Sequence, residues 1–124
     1  MILQAALLAD NVYRDARTGK HVVAGTFHQL EVASVPATFA GPATLFLALR
    51  DVDGPVELRL VDDAGEVVLG PHAFDLDGHD TRLPIEYAVQ LPPLPLARTG
   101  HYALQVAGGG AVLGEAPIEV VTVS

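Results

Sequence analysis

The sequence predicts an all-β fold, an antiparallel two-sheet β-sandwich of about seven to eight strands with Greek-key connections. Three observations predict it. Short segments alternate apolar and polar residues with period two, most plainly Ile85, Tyr87, Val89 and Leu91 against Glu86, Ala88 and Gln90. Glycine, proline and aspartate punctuate the chain about every 8–12 residues, and no stretch carries the 3.6-residue period of an amphipathic helix.

The most informative stretch is residues 91–106. A proline-rich approach ends at Gly100, and Tyr102, Leu104 and Val106 then alternate with His101, Ala103 and Gln105. Proline forbids helix there, so the chain turns a stiff corner into a strand. A tyrosine opening a late strand after a turn can bond back to the backbone of that corner and pin it.

In chain order, residues 2–9 read as a first strand. They favour helix weakly, but eight residues make a marginal helix and Asp10-Asn11 follows at once. Residues 15–20 are a turn in which Gly19 supplies a positive φ. Residues 22–32 form a second strand, with Gly25 marking a bulge or a close backbone approach. Pro36, Gly41 and Pro42 make residues 33–43 a connection rather than a ladder strand. Residues 44–50 are apolar on both faces, as a centrally buried strand requires.

Val56, Leu58 and Leu60 alternate with Glu57 and Arg59 in a half-buried strand. Asp62-Asp63-Ala64-Gly65 is a hairpin turn, and the return strand runs from Glu66 past Pro71 towards Leu76. Residues 75–80 are a loop, residues 85–91 the clearest strand, and Gly108-Gly109-Gly110 a permissive turn. The last strand spans residues 112–123, where Pro117 suits an edge.

At 124 residues, half of them apolar, the chain is expected to be one domain burying roughly two-thirds of its unfolded surface. The absence of cysteine removes disulfides, thiolate metal sites and cysteine nucleophiles. The amino terminus lacks a basic leader and no run reaches the length of a membrane span, so the expected location is cytoplasmic. A net charge of −8 repels phosphate backbones, and Asp15 interrupts the one basic cluster of Arg14, Arg17 and Lys20. Nucleic acid is therefore not an expected partner.

Ala9-Asp10, Tyr13-Arg14-Asp15, Thr18-Gly19-Lys20, Gly25-Thr26-Phe27, Leu94-Pro95, Gly100-His101-Tyr102 and Leu113-Gly114 together resemble a family of small bacterial proteins of uncharacterised function. The resemblance spans essentially the whole chain. It implies a β-sandwich of immunoglobulin-like or C2-like character in a bacterial, cytoplasmic setting, and it carries over no catalytic residue. Read physically, Asp10, Asp15 and Lys20 make either a charged recognition patch or an Asx-turn, a hairpin glycine and a surface ion pair worth about 0–1 kcal/mol. The second reading asks for less.

The acidic loops are the sharpest candidates for chemistry. In a meander, the 15–20, 51–54, 75–80 and 107–110 loops share one end and gather Asp15, Asp51, Asp53, Asp75, Asp77 and Asp80. Calcium takes six to eight hard oxygens from flexible loops, so Asp51, Asp53, Asp75, Asp77 and Asp80 are the candidate calcium ligands. Asp75, Asp77 and Glu86 also have EF-hand spacing. Gly78 stands two places early, however, and a strand follows instead of a helix, so the EF-hand is rejected. Asp-X-Asp-Gly is also ordinary turn chemistry.

Of the histidines, His21, His28, His72, His79 and His101, none lies in a close ligand pair. Ser34 and Ser124 lack a nucleophile elbow, and the glycine triplet lacks the Lys-Ser/Thr and helix of a phosphate loop. Asp62 and Asp63 are adjacent and expected to be exposed in their turn. No enzyme and no cofactor is predicted.

The leading reading is a non-catalytic binding or assembly module that engages a protein partner through end loops or an exposed sheet edge. The alternative is a calcium-dependent module using the acidic loops. The amino-terminal strand and the Pro117-containing strand are the expected edges, and Met1-Ile2-Leu3 suits a homodimer or completion of its own sheet. Pro92-Pro93-Leu94-Pro95 resembles a polyproline ligand, but a structural corner accounts for it more simply.

Overall fold

The computed structural model describes residues 1–76 and 82–123, and every regular element among them is a strand. In chain order these are β1 (Ile2–Arg14), β2 (His21–Thr26), β3 (Gln29–Val32), β4 (Ala37–Phe39), β5 (Thr44–Arg50) and β6 (Pro55–Asp62). They continue with β7 (Val67–Asp75), β8 (Ile85–Gln90), β9 (Leu94–Leu96), β10 (Gly100–Gly108) and β11 (Ala111–Thr122). One sheet runs β2-β1-β5-β8, a second β3-β11-β10-β6-β7, and β4 pairs with β9. Among the described residues, only β3 and β11 pair in parallel. The all-β expectation holds, with more strands than expected. No helix among the described residues is long and apolar enough to cross a membrane.

The two larger sheets contribute to one core. Leu45, Leu47 and Leu49 of β5 are fully buried and cluster with Val56, Leu60 and Val106 of the five-stranded sheet. Each such side chain contributes about 1.5–3 kcal/mol of burial. On the other face of β5, Phe46 and Ala48 are also buried, at 7% and 8% exposure. A strand apolar on both faces is thus buried on both faces, as the sequence requires.

What covers Phe46 is the outer half of β1 with β2. Leu7 pairs with Phe46, and Arg14, seven residues further along, pairs with His21. On a straight strand that separation is about 23 Å. Yet the His21 ring lies edge-on to Phe46 at 5.6 Å, and its Nδ1 is 3.1 Å from Glu86 Oε1 on β8. The β1–β2 ribbon therefore folds back across the outside of β5 and β8. Gly25, at φ +73°, faces Asp10 so closely that a Cβ would meet its Oδ2 at 2.6 Å. The close approach expected of Gly25 is real, and the β1–β2 register passes it without a shift.

Residues 22–32 are not one strand. The Phe27 N–H donates to Leu8 O of β1 at 3.0 Å, whereas His28 O accepts from Glu119 N of β11 at 2.8 Å. The chain changes sheets between these two residues, and β2 and β3 separate there. Residues 33–43 likewise contain a ladder strand, since Ala37, Thr38 and Phe39 pair with Leu96, Pro95 and Leu94. Leu94 and Leu96 reach the core at 1% exposure each, so the proline-rich approach is a short strand leading into the corner.

The corner itself forms as expected. Tyr102 Oη donates to Arg98 O at 2.8 Å and accepts from Arg98 N at 3.3 Å. The hairpin glycines Gly109 and Gly110 take φ of +59° and +81°. At Asp15, Oδ1 accepts from the N–H groups of Arg17 at 2.8 Å and Thr18 at 3.0 Å, an Asx-turn.

The expected edges are corrected only in part. β1 pairs with β5 through residues 2–9 and with β2 through residues 9–14. β11 pairs with β10 through residues 111–120 and with β3 through residues 119–122. Among the described residues, the start of β1 and the stretch around Pro117 therefore each have a strand on one side only. The start of β1 also packs against β10 and β11, because Gly108 and Gly114 leave room for Met1 and Leu3. Pro117 sits opposite Ala103 of β10, on a stretch of β11 that β3 does not reach. Among the described residues, the strands that end the two larger sheets are β2, β8, β3 and β7.

Candidate functional site

β7 and β8, each the last strand of its sheet, flank an apolar cleft of about 630 Å³. Its walls come from both sheets, with Leu58, Leu60, Leu69 and Leu104 on one side and Val89 and Leu91 on the other. Leu58, Leu60 and Leu104 are core residues, so the cleft reaches down to the core.

Irregularity in β7 shapes this opening. Between the Leu58–His72 and Val61–Val67 pairs, its register against β6 shifts twice. Gly70 lies at φ +92°, and a Cβ there would meet Leu58 O at 2.8 Å, so only glycine fits. Pro71 follows and offers no N–H. His72 pairs with Leu58, which places its imidazole on the face that lines the cleft. Further along, Phe74 of β7 stacks on Tyr87 of β8, with centroids 5.1 Å apart and planes inclined by 12°, and ties the two edges together.

β8 is regular by contrast. Residues 85–90 pair one for one with residues 44–49 of β5, and among the described residues no strand lies on the other side. Pro84 precedes it and Pro92 follows. The arrangement combines an open row of backbone donors and acceptors with an adjacent apolar recess. Such a surface can bind an extended or apolar partner, and Arg59, His72 and Gln90 are the polar residues that line it among those described.

The acidic candidates fall as follows. Asp51 (φ +54°) and Asp53 occupy the turn between β5 and β6, and Asp75 pairs with Pro55 at the same end. The glycine turn joins them there, since Gly108 pairs with Val56. Asp77, Asp80 and His79 lie outside the described residues. Among the described residues no three His, Cys, Asp or Glu side chains come together to hold a metal ion. Beside Asp51, Arg50 buries its Nε without a hydrogen-bond partner, and a guanidinium at that end works against a dication. The Asp15 carboxylate is held by its own turn, and those backbone N–H groups keep its pKa below the ordinary 3.8.

Asp62 departs from the expected exposure. Its side chain is 7% exposed, and Oδ2 accepts from Arg98 Nη2 at 3.0 Å. Oδ1 accepts from Glu66 N at 2.9 Å and Ala64 N at 3.0 Å. The Glu66 N–H bond leads the causes that lower its pKa, with the Arg98 charge assisting. The residue therefore caps the hairpin and ties it to the tyrosine corner. It forms no carboxylate pair for acid–base work with Asp63, which points into solvent.

The cleft was missed in the sequence, although Pro71 inside an expected strand was a signal for an edge. No curated protein matches the chain. A family model described as a family of unknown function, DUF6941, matches residues 4–121. The chain belongs to that family.

Proposed function

We propose that this chain is a non-catalytic binding or assembly module, a single cytoplasmic β-sandwich domain of immunoglobulin-like character, whose working surface is the open side between β7 and β8. The sandwich reading is supported by the core that both larger sheets share and by the tyrosine corner. The observation that carries the functional reading is the apolar cleft of about 630 Å³ between two edge strands. That size lies within the usual range of binding pockets, and its apolar walls are those of a recess that gains by being filled. A non-catalytic role agrees with walls made mostly of leucine, valine and proline, beside Arg59, His72 and Gln90.

The test uses Nile red, a neutral apolar dye, with Leu69→Trp and Val89→Trp, each of which fills the cleft. Saturable fluorescence in the native protein should fall at least tenfold in both variants while their melting temperatures stay within a few degrees. Unchanged dye binding in folded variants removes the cleft from consideration.

A further inference from the structure

Resting on that reading of the open side, we propose that its occupant is a second copy of this chain, joined β8 to β8 across a two-fold axis at Ala88.

The two edges beside the cleft are not equivalent. β7 is blunted by two register shifts and by Gly70-Pro71, the devices that keep an edge from pairing. β8 has neither device, and its pairing with β5 runs from Ile85 to Gln90 without a shift. The Leu91 N–H donates to Ala43 O at 3.0 Å, which carries the same register one residue further. The odd-numbered residues therefore bond to β5, and alternation turns the N–H and C=O groups of Glu86, Ala88 and Gln90 outward. Among the described residues no strand receives them.

The segment from Pro84 to Pro92 is chemically symmetric about Ala88. Ile85 answers to Leu91, Glu86 to Gln90 and Tyr87 to Val89, and the two prolines stand equally far to either side. A two-fold interface asks for such a segment, because residue i of one copy meets residue j of the other and j meets i. Antiparallel pairing on this axis sets Ala88 opposite Ala88 and Glu86 opposite Gln90. Every outward N–H and C=O group of both copies is then bonded. The next pair would be Pro84 with Pro92, which have no N–H to give, so the ladder ends there. A slip of two residues brings a proline opposite Glu86 or Gln90 and forfeits bonds, and a slip of one turns apolar side chains to the polar face.

The side chains agree with the backbone. Tyr87 pairs with Leu47 and Val89 with Leu45, both fully buried, so the odd-numbered side chains lie on the core side of the sheet. Across the axis each Tyr87, 39% exposed in the single chain, sits opposite the partner's Val89, an aromatic against a β-branched residue. Val89 and Leu91 line the cleft, so the partner's Tyr87 completes its rim. On the other face Glu86, already 3.1 Å from His21 Nδ1, meets a neutral amide. The two Glu86 residues stand about 14 Å apart along the pair, beyond the screening length of physiological salt. Residues 85–91 span only about 24 Å, and an edge of that length on two layers about 10 Å apart buries less than the roughly 800 Å² per partner of a stable interface. The dimer is therefore a weak one, formed at tens of micromolar and above.

The experiment follows sedimentation of the full chain from micromolar to millimolar concentration, alongside Ala88→Lys, Ala88→Glu and their equimolar mixture. The native chain should pass from monomer to dimer across that range. Either variant sets two like charges on the axis and should weaken association at least tenfold, and the mixture should restore it. The native dimer should tighten as salt rises, because each copy carries −8. Amide exchange at Glu86, Ala88 and Gln90 should slow at least tenfold from the dilute to the concentrated sample.

A chain still monomeric at millimolar concentration overturns the proposal, and Nile red binding that Leu69→Trp abolishes then leaves the open-side reading standing. Absence of saturable dye binding as well overturns both. A dimer indifferent to either charge at residue 88, or one that protects amides elsewhere, overturns the axis at β8. A monomer whose residues 86, 88 and 90 are protected instead by peptides selected from a display library assigns the edge to a foreign strand and overturns the second copy.

Discussion

The Tyr102 hydroxyl both donates to the carbonyl of Arg98, at 2.8 Å, and accepts from its N–H, at 3.3 Å. The same Arg98 reaches Asp62 with its guanidinium, so the approach to β10 is locked to the β6–β7 hairpin. Tyr102 is 5% exposed, and Tyr102→Phe should leave two backbone groups without their partner. We expect a loss of about 1–3 kcal/mol by denaturant unfolding. A loss below about 0.3 kcal/mol would mean that the corner holds without its hydroxyl.

Asp62 gives acid sensitivity a definite sign. Its folded pKa lies below the ordinary 3.8, so the folded state binds a proton less readily than the unfolded one. Its stabilisation is therefore present above about pH 5 and disappears as pH falls through the folded pKa. Unfolding at stepped pH should show a plateau near neutrality and a decline below about pH 4 that Asp62→Asn makes shallower. An identical acid limb in the variant would place the proton uptake on other carboxylates.

Gly25→Ala should strain the ribbon twice. The residue would sit at φ +73°, and its Cβ would meet Asp10 Oδ2 at 2.6 Å. The left-handed conformation alone costs about 1–2 kcal/mol, and the contact adds to it. Removing the clash in Asp10→Ala with Gly25→Ala should recover part of the loss, which a double-mutant cycle reads directly.

Phe46→Ala opens a space under the folded-back ribbon. Phe46 is 7% exposed and touches the His21 ring, so the cost should approach the roughly 3–5 kcal/mol of a core phenylalanine. Amide exchange should quicken most in residues 10–26. A cost near that of a surface aromatic would contradict the fold-back.

Calcium tests the acidic end. With the Arg50 Nε buried beside Asp51, and no three acidic side chains converging among the described residues, a melt in millimolar calcium should match one in chelator. A calcium-selective rise of several degrees that disappears in Asp51→Asn with Asp75→Asn would transfer the working surface to the turns.

Much of this molecule is decided by short-range physics that a sequence displays. Alternation placed β6, β8 and β10, turn chemistry placed the hairpins at residues 15–20, 62–65 and 108–110, and Tyr102 announced its own corner. Leu45, Phe46, Leu47 and Ala48 announced burial on both faces without saying what would cover the second one. Pairing is a different matter, because it joins residues far apart in the chain. That β1 would pair with β5 through its first half and with β2 through its second, that the chain would change sheets between Phe27 and His28, and that Asp62 would be buried against Arg98 were settled only by tertiary contact. The cleft belongs to this second class. An edge is a strand without a neighbour, and no local pattern in β8 records which strands fail to arrive beside it.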